Sequence, residues 1–472
     1  MRKKIIILCV TLALLLSMPV TLLVWGFGLP AQYEDTFMGE LKYKVGLLEN
    51  TPGPRIILAG GSGVAFGVDS ALMERELPGY SIVNFGMYAA LGTTVMLDLS
   101  EPYIREGDIV ILIPEQQEQT LSEYFDPSVM WQGLDGAYGL LTHLPKDKLR
   151  QLAGTFPEFA GQKFGYFMQG EQPRPQGVYR RDSFNERGDM VSALCARNEM
   201  PGGYDANTPI RFDRDMLTEG FVQRVRDYAR AVTGKGAVLW YGFCPMNARA
   251  AEGTGSDIDA FYEALQQALG LPLAGNPHDF ILDAGWFYDT NFHPNSSGKT
   301  VYTRALIRAV KAMLGDSSPT DIALPEMPEM AGAELWVGDD RDGACFTYEE
   351  RDGALTVTGL TAEGLDRETL VVPASRDGLP VTAIGANAFA GAGNLAEIRI
   401  QRSIRAMADG AFSGCTALER IVVEQNSPSA CRVGQGLLEG TNARIYVPAD
   451  ALSAYRTDYF WSVYGTLILP QE

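Results

Sequence analysis

Histidine is scarce in this chain: there are three among 472 residues. The six cysteines form no CxxC pair and no cluster with histidine, which argues against a zinc centre, and no metal site is expected. Cys9 lies in the first apolar segment. The other five are scattered, as buried thiols are and a disulfide framework is not. Basic charge is in deficit, with 39 Lys+Arg against 58 Asp+Glu and a formal net charge of −19. Phosphate backbones would repel such a chain, so no nucleic-acid partner is expected. Beyond residue 28 no second apolar run is long enough to cross a membrane.

The first such run is present. Arg2-Lys3-Lys4 precedes an uncharged stretch from Ile5 to Gly28, enough to span a bilayer as one helix. A secretory h-region is shorter and ends in a small-x-small site, for which Gly28-Leu29-Pro30-Ala31 is a weak match. Residues 1–30 therefore read first as a signal anchor and second as a cleaved leader. The three basic residues stay on the cytoplasmic side, which places the remainder outside, with the membrane as a partner through this helix.

At this length and with 46% hydrophobic residues, two or three globular domains are expected. Between residues 55 and 315, short apolar strands alternate with helical stretches. Strands are predicted at Arg55–Ala59, Ser81–Asn84, Asp108–Ile113, Ala237–Tyr241 and Asp279–Leu282. Helices are predicted at Val68–Glu76, Thr93–Tyr103, Thr218–Thr233, Ile258–Leu269 and Ser297–Leu314. Alternation of this kind implies an α/β fold on a mainly parallel sheet. The predicted domain runs over 31–315, with an insertion at about 120–215 of poor periodicity. A linker follows at 316–342, opening on the Pro-rich acidic run 316–334.

The last segment, 343–472, holds an internal repeat. Ile384, Ala388, Phe389, Gly391, Leu395 and Ile398 recur 23 residues later as Met407, Ala411, Phe412, Gly414, Leu418 and Ile421. That period lies in the leucine-rich range, and each repeat would add one rung to a parallel ladder, making a small β-solenoid. The segments VTAIGANAFAGAGNLAEIRI, IRAMADGAFSGCTALERIVV and ARIYVPADALSAYRT resemble the BspA-type leucine-rich repeats of bacterial surface proteins. The resemblance implies a protein or glycan ligand for this part.

Two short stretches carry the chemistry. Ile56-Ile57-Leu58-Ala59 runs into Gly60-Gly61-Ser62-Gly63, placing a serine at the C-terminal end of the first predicted strand, where ligands of open parallel sheets bind. Much later, Asp289-Thr290-Asn291-Phe292-His293-Pro294-Asn295 offers a histidine with a carboxylate four residues before it. A serine hydroxyl is a weak nucleophile and needs a base, for which His293 is the best candidate. His143 and His278 read as structural or exposed. Trp286-Phe287-Tyr288 could line a pocket or pack beneath the loop. Pro245-Met246-Asn247 stands at the same end of the sheet.

These stretches resemble the SGNH (GDSL-type) hydrolases, a three-layer α/β/α family. Gly60-Gly61-Ser62 is similar to the family's first block, Val83-Asn84-Phe85-Gly86 to its second, and Asp289 and His293 with Asn295 and Gly298 to its last. The resemblance implies that Ser62 attacks an acyl carbonyl, that His293 takes its proton and that Asp289 orients the imidazole. It also implies oxyanion donors at the N–H groups of Ser62 and Gly86. Two departures stand out. Thr290 occupies the family's usual aspartate position, which leaves Asn291 and Asp283 as alternative orienting groups. After the third strand the family's Gly-x-Asn-Asp is replaced by Ile113-Pro114-Glu115-Gln116-Gln117. Glu115 cannot donate when ionised, so Gln116 or Gln117 becomes the third donor. Asn84, Glu115, Asn291 and Trp286 are the expected substrate contacts. The departures bring the chain closer to membrane-anchored, DltD-like envelope proteins. An esterase or O-acyltransferase acting on an acylated cell-surface glycan or similar ester is expected, without a cofactor. The alternative is a surface adhesion or binding protein on a degenerate scaffold.

Overall fold

The computed structural model describes residues 17–472 other than 171, 174, 176, 201–202, 206–207, 329–339, 352, 378, 426–427, 429–430, 459 and 472. Most of the predicted membrane segment, and part of the predicted linker, lie outside the described residues. Among the described residues no helix is long and apolar enough to cross a membrane. Residues 17–23 are helical, and Val24–Gly28 continues them as a wider turn. The buried carbonyl of Gly26 accepts hydrogen bonds from Tyr138 Oη (2.6 Å) and Lys163 Nζ (3.0 Å), and Trp25 stacks on Phe164. A polar group taken out of water needs such partners. These contacts tie Trp25 and Gly26, at the end of the predicted anchor, to Tyr138, Lys163 and Phe164.

The chain forms two compact units: residues up to 173 with 180–196 and 209–328, and residues 174–179 with 197–208 and 329 onward. In the first unit α1 (Glu40–Asn50) leads into β1 (Arg55–Gly60), α2 (Ser62–Gly67), α3 (Ser70–Glu76), β2 (Ser81–Gly86), α4 (Thr93–Ser100) and β3 (Ile109–Ile113). After α5 (Pro127–Leu134), α6 (Lys146–Gln169) and α7 (Glu219–Gly234) come β4 (Val238–Gly242), β5 (Met246–Asn247), α8 (Gly255–Leu269), β6 (Leu273–Ala274), β7 (Ile281–Leu282) and α9 (Ser296–Leu314). Five strands form a parallel sheet in the order β2-β1-β3-β4-β6. β1 and β3 are buried throughout, as strands covered on both faces must be, which is why both read as apolar runs after the buried Arg55 that opens β1. The predicted fifth strand, Asp279–Leu282, is not in this sheet: Ile281–Leu282 pairs with Met246–Asn247, and the fifth place goes to Leu273–Ala274.

Register decides what meets at the sheet's C-terminal edge. Gly60 lies opposite Gly86 on one side and Ile113 on the other. A Cβ on Gly60 would stand 2.1 Å from the Ile113 carbonyl oxygen, and one on Gly86 2.4 Å from the Ala65 nitrogen. Only glycine lets these neighbours pack so closely.

In the second unit an antiparallel hairpin, β8 (Phe346–Arg351) and β9 (Ala354–Leu360), opens a ladder ordered β16-β14-β12-β9-β8. Its other members are β12 (Leu379–Ile384), β14 (Ala406–Met407) and β16 (Arg432–Val433), while β11 (Ser375–Arg376) pairs only with β12. A second ladder is all parallel: β10 (Thr369–Val372), β13 (Glu397–Ile400), β15 (Arg420–Val423), β17 (Arg444–Val447) and β18 (Ile468–Pro470). The 23-residue repeat sets one step in each ladder, for Ile384 faces Met407 and Ile398 faces Ile421. The Phe389 and Phe412 rings meet at 5.3 Å, tilted by 31°, in a common buried core. Gly391, Gly414 and Gly440 all turn the chain with positive φ. The five described cysteines are free and buried.

Candidate functional site

The serine turn forms where β1 runs out. Gly61 is extended, and its carbonyl accepts from Val64 N (3.2 Å) and Ala65 N (3.4 Å), so α2 starts at Ser62 itself. Glu115 stands two residues past Ile113, as Ser62 stands two past Gly60 on the adjacent strand. This equal offset brings their side chains together: Ser62 Oγ donates to Glu115 Oε1 at 2.8 Å. Gly63 N donates to the same oxygen at 2.8 Å, and Gln117 Nε2 donates to Oε2 at 2.6 Å. The hydroxyl of Thr120 donates to the Glu115 carbonyl and steadies the backbone. Ser62 is 4% exposed and Glu115 3%. A Cβ at Gly61 would stand 2.9 Å from Glu115 Oε1, so the glycine beside the serine is what admits the carboxylate.

Asp289 and His293 come from a tight loop before α9. Phe287 bridges to Pro294, and Tyr288 N donates to the His293 carbonyl at 2.8 Å. Thr290 Oγ1 accepts from Phe292 N (3.1 Å) and His293 N (3.0 Å), the local turn that threonine favours. Folding the loop on itself puts Asp289 Oδ1 2.8 Å from His293 Nδ1. With Nδ1 donating to the carboxylate, Nε2 is left as an acceptor. The imidazole, 3% exposed, lies flat on the Phe66 ring of α2, 3.9 Å away and 9° from parallel. Asn295 caps α9 by accepting from Gly298 N (2.8 Å), and its amide donates to the carbonyls of Gly285 and Phe287. A Cβ at Gly63 would stand 3.2 Å from the Phe292 carbonyl oxygen, so the loop rests against the serine turn. The neighbouring Cys195 thiol is pushed up by burial and then by the Asp289 charge, which makes it inert.

Other expected site residues have different employment. The N–H of Gly86, the expected oxyanion donor, donates to Asn84 Oδ1 at 3.1 Å. Asn84 is fully buried: its amide donates to Asp189 Oδ1 (2.9 Å) and its oxygen also accepts from Lys44 Nζ (3.3 Å). Lys44 in turn donates to the Gly188 carbonyl at 2.7 Å. Burial lowers the Lys44 ammonium to about 8 and raises the Asp189 carboxyl. Asn84 therefore belongs to a polar network beneath the strand end. Gln116, the expected third donor, points its amide at the Arg211 carbonyl (2.9 Å). Asn291 is buried, and its backbone carbonyl accepts from Asn247 N at 3.0 Å. Asp283 caps a short turn through Gly285 N (2.9 Å). Trp286 is half-buried, with its carbonyl accepting from Asn295 N (2.9 Å). Of the Ser62 and Gly86 N–H groups, only that of Ser62 has no partner among the described residues. His278 pairs with Asp259 at 3.0 Å on the surface, and His143 meets Tyr103 Oη at 3.3 Å.

The site thus holds two preassembled pairs, Ser62 with Glu115 and His293 with Asp289. Sequence reasoning gave Glu115 a substrate contact and did not see its bond to Ser62. The equal two-residue offsets past β1 and β3 were the available signal. It also missed Phe66, whose stacking depends on a six-residue helix too short to show a period.

No protein-family model and no curated protein matches the chain. Among solved structures, a leucine rich cell surface protein of Faecalibacterium prausnitzii is 20% identical with a TM-score of 0.17, covering 22% of this chain and 31% of its own. A leucine-rich repeat protein of T. pallidum is 21% identical with a TM-score of 0.18, covering 22% and 59%. A Bacillus subtilis protein from a structural genomics programme is 13% identical with a TM-score of 0.26, covering 55% and 57%. Each match spans less than two thirds of the known chain, and at these TM-scores none adds to the geometry.

Proposed function

We propose that this chain is an extracytoplasmic serine esterase or O-acyltransferase of SGNH type, acting on acyl groups of cell-surface glycans. The observation that carries the reading is the 2.8 Å contact of Asp289 with His293, on a loop resting against the Ser62 turn. In this reading Ser62 Oγ forms a bond to the acyl carbon, its proton passes to His293 Nε2, and Asp289 stabilises the resulting imidazolium. The N–H of Ser62, without a partner among the described residues, supports the developing oxyanion. The uncharged stretch Ile5–Gly28, preceded by three basic residues, supports an anchored, external location. The repeat unit is read as a BspA-type β-solenoid that binds a protein or glycan. The test is turnover of a short-chain aryl ester by the purified protein. Ser62→Ala and His293→Ala should abolish it, and unchanged turnover in Ser62→Ala would remove Ser62 as the nucleophile.

A second reading is a non-catalytic surface binding protein. It is favoured by one observation: the Ser62 hydroxyl and the Gly86 N–H are both already bonded within the protein. An absence of ester turnover together with specific retention on cell-wall glycan would select it.

A further inference from the structure

Glu115 is a buried carboxylate whose three side-chain partners are all neutral: the Ser62 hydroxyl, the Gly63 N–H and the Gln117 amide. The clamp is built on purpose-shaped ground. Gly61 leaves room for the carboxylate, Gln117 holds its far oxygen, and Thr120 fixes its backbone.

Ser62 Oγ carries one proton, and that proton is committed to Glu115. Attack requires the O–H to turn about the Cβ–Oγ bond toward the histidine side. A carboxylate 2.8 Å away also opposes negative charge growing on the nucleophile. The same carboxylate oxygen occupies the Gly63 N–H, a donor adjoining the place where an oxyanion would form.

We propose that Glu115 is a positioning residue that holds Ser62 in a resting rotamer, and that the site becomes reactive when this side chain leaves the serine turn. The proposal rests on Ser62 being the nucleophile. No covalent bond changes in the release; the proton stays on Ser62 until attack.

The test uses the full chain and a fluorophosphonate probe, in whose reaction Ser62 Oγ bonds to phosphorus, fluoride leaves and the proton goes to His293. Labelling rates are compared for the wild type, Glu115→Gln, Glu115→Ala, Gln117→Ala and Ser62→Ala, with melting midpoints recorded for each. Glu115→Ala should label at least about tenfold faster than the wild type, because the Ser62 hydrogen bond to Glu115 no longer has to break. Glu115→Gln, which keeps shape and a neutral acceptor, should gain less, and Gln117→Ala least. On an aryl ester the gain should appear in kcat with KM nearly constant, a split that loosened structure alone would not give. If Glu115→Ala fails to fold, the isosteric Glu115→Gln decides the matter. A labelled wild type with unchanged or slower labelling in the folded Glu115 variants overturns the proposal while leaving Ser62 as nucleophile. No labelling of any of the proteins, beside a labelled control esterase, overturns both.

Discussion

Asp289 Oδ1 meets His293 Nδ1 at 2.8 Å across a spacing of four residues that is not helical. Thr290 makes the turn that allows it, so the residue standing at the resembled family's aspartate position serves as the hinge of the pair. Asp289→Asn keeps the shape but lets the amide favour the wrong imidazole tautomer. Ester turnover should fall by a factor on the order of 10³–10⁴ in kcat, measured at constant pH.

Phe66 holds the His293 ring in place by flat stacking at 3.9 Å. Phe66→Ala should destabilise the first unit by about 3–5 kcal/mol, as for other buried phenylalanines. In whatever fraction stays folded, kcat of the proposed esterase should fall more than KM changes, because the His293 ring is loosened. Thermal midpoints and Michaelis curves at low temperature check both.

At Gly60 an added methyl would meet the Ile113 carbonyl oxygen at 2.1 Å and Val64 Cγ2 at 2.6 Å. Gly60→Ala must push β1 from β3 and separate Ser62 from Glu115. A loss on the order of 1–3 kcal/mol is expected, together with faster fluorophosphonate labelling of the folded fraction. Unaltered melting in this variant would contradict the strand register.

Asp458, which caps the turn before Trp461, has its carboxyl raised from 3.8 to about 6, chiefly by burial. The folded state keeps this proton up to about pH 6, whereas the unfolded chain gives it up near pH 4. Stability from this group is therefore full below about pH 4 and lost as pH rises toward 6. Melting of the repeat unit should drop over that window in the wild type. Asp458→Asn should remove this part of the slope, because its amide oxygen still accepts from Phe460 N and Trp461 N.

Phe412 is fully buried between successive rungs. Phe412→Ala should lower the stability of the repeat unit by about 3–5 kcal/mol, seen as an earlier melting transition. The pair-matched Phe389→Ala should do the same, since the two rings pack against each other in the same core.

Most of the first unit's frame was legible because its strands are covered on both faces: β1, β3 and β4 lie within two residues of their predicted ends. α9 was equally plain, starting one residue before its predicted Ser297. α6 was not, because Gly154, Pro157, Gly161 and Gly165 interrupt its apolar rhythm while tertiary packing still holds it helical. β6 and β7 have two residues each, too few to show any period, so the wrong one was placed in the sheet. The ladder that holds β14 and β16 went unseen in part for the same reason, since these two are also two-residue strands. At the site, the serine, histidine and aspartate could be named from residue type and place. The occupation of Gly86 by Asn84, and of Ser62 by Glu115, could not, because such bonds depend on side-chain direction across neighbouring strands.

The two ladders of the repeat unit share one step, and Ile384 with Met407 repeats the relation of Ile398 with Ile421. A module built this way changes size only in whole increments. Arg420 pairs with Arg444 and Ala406 with Arg432 across slightly longer steps, so the turns absorb extra residues, and gain or loss of one whole repeat keeps the inward-facing contacts of the ladders. Reach is thus a quantity that gene duplication can adjust by counting, without any new packing having to be invented.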